Sequence, residues 1–235
     1  MAYTWFLFDA DGTLFDYDKS EPVALADTFA QFGYAFDATY LDAYRTINGQ
    51  LWRDFELGTI EQERIKVLRF ERLLAAIGLS SALDAAMFSA RYLENLGNCT
   101  HLIDGAERLI AALRGSVRLA LITNGLQAVQ RSRLAQSSIG SAFEVVVISE
   151  EVGHSKPHSG IFDVAFARMG HPSKDEVLMI GDSLTSDIKG GSDYGIDTCW
   201  YNPAGASRPM DVSITYEIHA LDELLAHFFS GLYAA

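Results

Sequence analysis

The chain has 235 residues, of which 49% are hydrophobic, and this suits one large soluble domain or one domain with an insertion. Its formal net charge is −13 at pH 7 and its Lys and Arg residues form no stripe, so a nucleic-acid polymer is not an expected partner. No apolar stretch approaches the roughly 18 residues of a membrane-spanning helix, and the N-terminus lacks the pattern of an export signal, so we expect a cytoplasmic protein without membrane contact.

The first predicted element is the apolar run at residues 5–8, which reads as a β-strand buried on both faces. Asp9 and Asp11 follow it, and Gly12 then allows a sharp turn. In a parallel sheet these acids lie at the carboxyl edge, where open α/β sheets bind their ligands. Both acids lie on one side of an extended chain, so their charges require a cation or a shared proton.

The next stretch, from about residue 20 to residue 96, has helical apolar spacing throughout and no convincing strand. A capping box at Thr59 and Gln62 marks one helix start. The four predicted helices are residues 22–32, a segment carrying Tyr40 to Leu51, residues 59 to about 77, and residues 82–96. We therefore predict a four-helix cap domain at residues 17–99, inserted into a core domain formed by residues 1–16 and 100–235.

From Asp104 onward, strands and helices alternate, which is typical of a parallel sheet. Asp104 and Glu107 are predicted to cap one helix, and Pro157 to open another. Further strands are predicted at residues 117–122, 143–148, 177–180 and 196–201, with a closing helix at 221–229. The predicted fold class is α/β, with a Rossmann-like parallel sheet as the core.

Polar residues follow the predicted strand at 117–122, and a lysine precedes a later helix. Thr123, next to Asn124, carries a hydroxyl beside free backbone N–H groups, which suits a phosphate oxygen but equally suits a helix N-cap. Lys156 stands just before a helix start, where its charge is unfavourable unless an anion lies between them. The alternative is an ordinary solvated lysine.

The strand at 177–180 again ends in acids, Asp182 and then Asp187. We interpret Asp187 as a partner of Lys156, although an acid at the start of a helix is common for other reasons. Carboxylate oxygens with few histidines favour Mg²⁺, which binds one or two carboxylates together with a substrate phosphate.

These stretches resemble the motifs of a known family. The matching residues are, in order, Asp9-x-Asp11-Gly12-Thr13, Thr123, Lys156 and Gly181-Asp182-x4-Asp187, and they resemble the four motifs of the haloacid dehalogenase superfamily. In that family the first Asp is a nucleophile that forms a phosphoaspartate, and the second is first an acid and then a base. The resemblance implies these roles for Asp9 and Asp11.

The same resemblance implies the remaining site. Thr123, Asn124 and Lys156 would bind phosphate. Mg²⁺ would be held by the Asp9 carboxylate, the backbone carbonyl of Asp11, and Asp182, while Asp187 would position Lys156 or a metal-bound water. Dehalogenases of the superfamily lack an Asp at the second position, so Asp11 favours a phosphatase or a phosphomutase.

The substrate must be read by the inserted helices, because the four motifs contact only phosphate. Residues 48–58, predicted as a turn between the second and third helices, bring together Asn48, Trp52 and Glu56, and Arg69 lies on the following helix. Such a set suits stacking on a nucleotide base and bonding to its edge, and it resembles the pyrimidine 5′-nucleotidases of the superfamily. The alternative is that these aromatic residues fill the helical bundle.

We therefore expect a Mg²⁺-dependent phosphatase that acts on a small phosphorylated metabolite, a nucleoside monophosphate. A sugar phosphomutase or sugar phosphatase is the alternative enzyme, since these share the motifs. The alternative outside enzymes is a regulatory binding protein on the same fold. The sequence leaves the oligomeric state open.

Overall fold

The computed structural model describes residues 3–208 and 212–229. The chain divides into two compact units, a core unit of Met1–Tyr17 with Thr100–Ala235 and a helical unit of Asp18–Cys99. In the part of the chain that is described, every helix is too short or too polar to span a membrane.

A parallel sheet forms the centre of the core unit, as the sequence predicts. Its strands are β1 (Trp5–Phe8), β2 (Arg118–Thr123), β3 (Val145–Ile148), β4 (Val177–Gly181), β5 (Asp197–Tyr201) and β6 (Tyr216–Ile218). They lie in the order β3-β2-β1-β4-β5-β6 and every pair is parallel. β1 is therefore flanked by β2 and β4, and these three strands end next to one another.

β6 is absent from the sequence-based prediction, which gives only five strands. The strand has three residues, and only Ile218 among them is buried. A segment this short, with two of its three residues only half-buried, lacks the apolar run or the alternation by which a strand is recognised.

The helical unit contains α1 (Tyr17–Gln31), α2 (Ala38–Glu56), α3 (Gln62–Ala76) and α4 (Ala85–Asn98). α1 begins five residues before the predicted start, so Pro22 lies inside the helix instead of at its first position. Proline has no N–H to donate to the carbonyl of Asp18 one turn earlier. That carbonyl instead accepts a hydrogen bond from Arg45 Nη2 at 3.3 Å, which offsets the loss.

Two predictions at the end of α2 are wrong. Residues 48–56 belong to the helix instead of a turn, because Asn48 and Leu51 lie on its buried face and Gln50 bonds Asp54 along its exposed face. The capping box is also absent: the Thr59 hydroxyl donates to the carbonyl of Asp54 at 2.8 Å. Thr59 thus closes α2, and α3 begins after Glu61 without a side-chain cap.

The α-helices of the core unit are α5 (Ala106–Leu113), α6 (Gln127–Gln136), α7 (Ser149–Val152), α8 (Ser159–Met169), α9 (Lys189–Tyr194) and α10 (Glu223–Phe229), and a π-helical turn, Leu184–Ile188, precedes α9. The predicted cap at Asp104 is wrong, because Gly105, with φ +88°, occupies the N-cap position of α5 and no side chain caps it. Pro157 lies just before α8, whose N-cap is His158.

Alternate residues of β1 pack into two apolar layers, one on each face of the sheet. Phe6 and Phe8 pack in the layer that contains α5 and α10, whereas Trp5 and Leu7 pack in the layer that contains α8. Burial on both faces explains why the strand reads as a continuous apolar run.

The chain leaves and re-enters the core unit along paired segments. Asp16 N donates to His101 O at 2.9 Å, and Ile103 N donates to Leu14 O at 2.9 Å. Phe15 and Leu102 form an antiparallel bridge between these bonds. The two ends of the inserted helices are thereby fixed to each other by the backbone of the core unit.

Candidate active site

The site residues follow from the strand order. β2, β1 and β4 are neighbours, so the residues that follow them, Asn124, Asp9 and Asp182, lie at one edge of the sheet. This is the carboxyl edge, where the sequence predicts a ligand site.

Lys156 is fully buried at this edge, which excludes the alternative of a solvated lysine. Its ammonium donates to Asp9 Oδ1 at 2.5 Å, to Asp187 Oδ1 at 2.7 Å and to the backbone carbonyl of Ile122 at 2.8 Å. All three ammonium hydrogens are therefore used. Burial alone would lower the pKa of Lys156, but the carboxylates of Asp187 and Asp9 outweigh it and raise the pKa above its ordinary value.

The carboxylates of Asp9, Asp182 and Asp187 form a cluster, with ligand oxygens that all lie within 4.8 Å of one another. Burial raises the pKa of Asp9 well above its usual value, with Lys156 opposing and the other two acids adding. Burial and the charge of Asp187 raise the pKa of Asp182 to about 7, although a hydrogen bond from Thr13 opposes this. When all three acids are ionised, they exceed the charge of the one lysine, and their hard oxygen donors fit a divalent cation such as Mg²⁺.

Thr13 and two glycines shape the cluster. The Thr13 hydroxyl donates to Asp182 Oδ1 at 3.1 Å and accepts from Asp182 N at 3.1 Å. A Cβ on Gly12 would lie 2.6 Å from Asp182 Oδ2, and a Cβ on Gly181 would lie 2.2 Å from Asp187 Oδ2. The absence of a side chain at both glycines therefore makes room for the carboxylates. Thr13 belongs to the first motif, but its role in orienting Asp182 does not follow from the motif alone.

The turn after β2 holds the lysine in place. Asn124 Nδ2 donates to Lys156 O at 2.8 Å, and Asn124 Oδ1 accepts from Lys156 N at 2.8 Å. The Thr123 hydroxyl, which is buried, accepts from Gly125 N at 3.0 Å, and a hydroxyl that accepts one hydrogen bond can also donate one. Direct phosphate binding by Thr123 and Asn124 stays a prediction.

The carboxylate of Asp11 lies outside the three-acid cluster. Its Oδ2 accepts from Gln130 Nε2 at 2.5 Å, and its Oδ1 pairs with Arg133 Nη1. Both partners are buried on α6, and neither is among the site residues predicted from the sequence. The available signal was a pair of polar residues on the same helical face as Val129 and Leu134, since a charge on an apolar face requires a partner.

In the helical unit, the four predicted specificity residues differ in exposure. Asn48 and Arg69 are buried, Trp52 is half-buried, and Glu56 is exposed. The Arg69 guanidinium carbon lies 5.1 Å from the ring centroids of both Phe70 and Tyr92, and Arg69 Nη1 donates to Tyr44 Oη at 3.2 Å.

Trp52 contacts Phe55 edge to face, with 5.8 Å between the ring centroids. Roles in substrate recognition for Asn48, Trp52, Glu56 and Arg69 stay predictions.

A sequence model of the haloacid dehalogenase-like hydrolases matches residues 3–195, so this chain belongs to that family, as the motifs predict. The chain is 37% identical over 226 residues to the pyrimidine 5′-nucleotidase PynA of Streptococcus pneumoniae, covering 96% of this chain and 94% of PynA. It is 33% identical over 224 residues to the pyrimidine 5′-nucleotidase YjjG of Escherichia coli, covering 95% of this chain and 97% of YjjG. The resemblance to pyrimidine 5′-nucleotidases is thereby confirmed.

A solved structure of the HAD-hydrolase YfnB from Bacillus subtilis, bound to magnesium, is also similar. Its TM-score is 0.91 at 36% identity, and the match covers 97% of this chain and 100% of YfnB. The observed fold is thus that of a family hydrolase over nearly the whole chain.

Proposed function

We propose that this protein is a Mg²⁺-dependent phosphatase that hydrolyses nucleoside monophosphates, with pyrimidine nucleotides preferred, to a nucleoside and phosphate. The observation that carries the proposal is the buried Lys156 bonded to Asp9 and Asp187 beside Asp182, because it combines a carboxylate nucleophile with groups that bind an anion and a cation. The names of PynA and YjjG support the choice of substrate.

Asp9 is the proposed nucleophile. One of its oxygens attacks the phosphorus and forms a phosphoaspartate, while the bond from phosphorus to the 5′ oxygen breaks. Lys156 holds the Asp9 carboxylate at 2.5 Å and directs it, and its charge stabilises the phosphoryl oxygens together with the hydroxyl of Thr123.

Asp11 is the proposed acid and base. It gives its proton to the 5′ oxygen as the nucleoside leaves, and it then takes a proton from the water that attacks the phosphorus. The second attack breaks the bond to Asp9 and releases phosphate. The Asp11 carboxylate is on the same loop as the nucleophile, two residues away, so one backbone segment positions both groups.

Mg²⁺, when bound, would be held by the carboxylates of Asp9 and Asp182 and by the backbone carbonyl of Asp11, and it would supply positive charge to the phosphoryl group. Asp187 bonds Lys156 and the backbone N–H of Ser183, so its part is to orient the lysine and the loop after β4.

The reaction is tested by phosphate release from purified protein with an aryl phosphate and with nucleoside monophosphates. We expect activity that a chelator abolishes and that Mg²⁺ restores, and no turnover in Asp9→Asn, which keeps the size of the side chain but removes its charge. Asp175→Asn is the matched control, since Asp175 is an exposed acid of the same unit. Phosphate release that survives chelation, or full activity in Asp9→Asn, contradicts the proposed mechanism, and no phosphate release from any of these substrates favours a binding role.

The substrate class is tested at Trp52. Trp52→Ala should raise the KM for uridine monophosphate about tenfold and leave the KM for an aryl phosphate nearly unchanged, because only the nucleotide loses a base-stacking partner. Met87→Ala, at an exposed apolar residue of the same unit, is the control. Equal losses on both substrates, or preferred hydrolysis of hexose phosphates, would contradict the nucleotidase proposal and favour a sugar phosphatase or phosphomutase.

A further inference from the structure

The side chain of Asp11 is held from one side and open on the other. Gln130 Nε2 donates to one of its oxygens at 2.5 Å and Arg133 Nη1 pairs with the other oxygen, so each oxygen has its own partner. Both partners are almost fully buried, whereas 31% of the Asp11 side chain is exposed. A carboxylate that is fixed by buried donors and still partly exposed is held in one orientation while it stays open to a ligand.

Both donors belong to one face of α6, because they are three residues apart. The Arg133 guanidinium carbon also lies 5.6 Å from the ring centroid of Phe15, which is buried in the same loop as Asp11. The segment after β1 thus supplies both a counter-charge and an aromatic face to one guanidinium. A planar guanidinium keeps this geometry better than a flexible ammonium would.

Gln130 is placed for its donor group. Its Nε2 bonds Asp11, but its Oε1 has no hydrogen-bond partner among the described residues, and an unmet buried carbonyl costs free energy. A Cβ on Gly125 would lie 2.2 Å from Gln130 Nε2, so the missing side chain at this position makes room for the amide. A buried amide with an unpaired oxygen costs stability, but its nitrogen directs an N–H at Asp11.

We infer that Gln130 and Arg133 are positioning residues, which hold the Asp11 carboxylate in the orientation from which it exchanges protons with the leaving group and with water. The inference rests on the proposed function of Asp11. If the pair only anchored α6 to the loop, its loss would reduce stability without acting through Asp11.

The first test compares Arg133→Met and Gln130→Met with matched controls on the same helix. We expect each variant to lower kcat for nucleotide hydrolysis by about 10- to 100-fold with little change in KM, because a misplaced proton donor slows the chemistry and leaves binding intact. Arg131→Met removes an exposed arginine paired with Glu151, and Gln136→Met removes an exposed glutamine, and both should keep the kcat of the unmodified protein. A rise in KM without a fall in kcat, or no change in either constant, overturns the inference.

The second test makes both substitutions in the unmodified protein and in an Asp11→Asn background, and measures all of these variants with the same aryl phosphate. Positioning residues act only through Asp11, so they should lower kcat less than about twofold further, whereas a purely structural role predicts the same fold loss in both backgrounds. Gln130→Met keeps the charged pair and carries the test if circular dichroism shows that Arg133→Met does not fold.

This experiment distinguishes a failure of the positioning role of Gln130 and Arg133 from a failure of the proposed role of Asp11. Equal fold losses in both backgrounds overturn the inference and leave the phosphatase intact. Full activity of Asp11→Asn itself overturns the proposed role of Asp11, and the inference with it.

Discussion

At the scale of single residues, Lys156 shows how burial and charge decide a role. A fully buried ammonium is unstable unless each hydrogen finds an acceptor, and here two carboxylates and one carbonyl supply them. The sequence predicts an anion near this lysine, but a solvated surface lysine is the ordinary alternative for a position before Pro157. Only the burial of the loop that carries Lys156 distinguishes these two interpretations, and that burial depends on contacts with residues far away in the sequence.

We predict that Lys156→Met lowers the free energy of unfolding by about 3–5 kcal/mol, because it leaves Asp9 and Asp187 buried without their counter-charge. Urea unfolding followed by tryptophan fluorescence measures this. The control is Lys189→Met, which removes an exposed lysine paired with Asp193 and should change stability by less than about 1 kcal/mol. Equal losses in both variants would mean that the buried contacts contribute no more than a surface pair.

At the scale of elements, the sequence predicts the strand ends well because a parallel sheet brings them to one edge whatever the loops do. Asp9 and Asp182 could be placed together in this way. The partners of Asp11 could not, since Gln130 and Arg133 reach it from the flank of α6 through their side-chain rotamers. The capping box predicted at Thr59 is wrong for a related reason. The Thr59 hydroxyl bonds the nearest available backbone carbonyl, which is that of Asp54 at the end of the preceding helix.

The turn after β2 and the loop before α8 act as one element, joined by the two hydrogen bonds of Asn124. Asn124→Asp keeps the acceptor for Lys156 N but places an oxygen against Lys156 O, so we expect a loss of about 1–3 kcal/mol in stability. Amide hydrogen exchange should rise in residues 153–158. Asn95→Asp, which disrupts bonds to Thr28 and Gln31 in the helical unit, should leave exchange in that loop unchanged. The same rise in both variants would show that the loop does not depend on Asn124.

At the scale of the whole molecule, the two cysteines give one probe for each unit. Cys199 is fully buried in β5, and burial, with a smaller contribution from Glu223, raises the pKa of its thiol to about 12. Cys99 follows α4 at the end of the helical unit and is also buried. A protonated, buried thiol is inert to thiol reagents.

We therefore predict that native protein at neutral pH does not label at Cys199 within minutes, and that labelling appears only when the core unit unfolds. Peptide mapping by mass spectrometry after a pulse of reagent, across a urea series, resolves the two sites. Cys99→Ser is the control that isolates Cys199. Rapid labelling of Cys199 in native buffer would contradict its burial.

The pairing of residues 14–16 with residues 101–103 also bears on how such a chain can diverge. Two backbone hydrogen bonds, Asp16 N to His101 O and Ile103 N to Leu14 O, join the segment that leaves the core unit to the segment that re-enters it. For the core unit, the inserted helices are therefore equivalent to one loop. The entropy cost of closing a loop grows only with the logarithm of its length, so a longer or shorter insert changes the stability of the core little. The core unit can therefore accept inserts of different length and sequence at this junction with little change in its own stability.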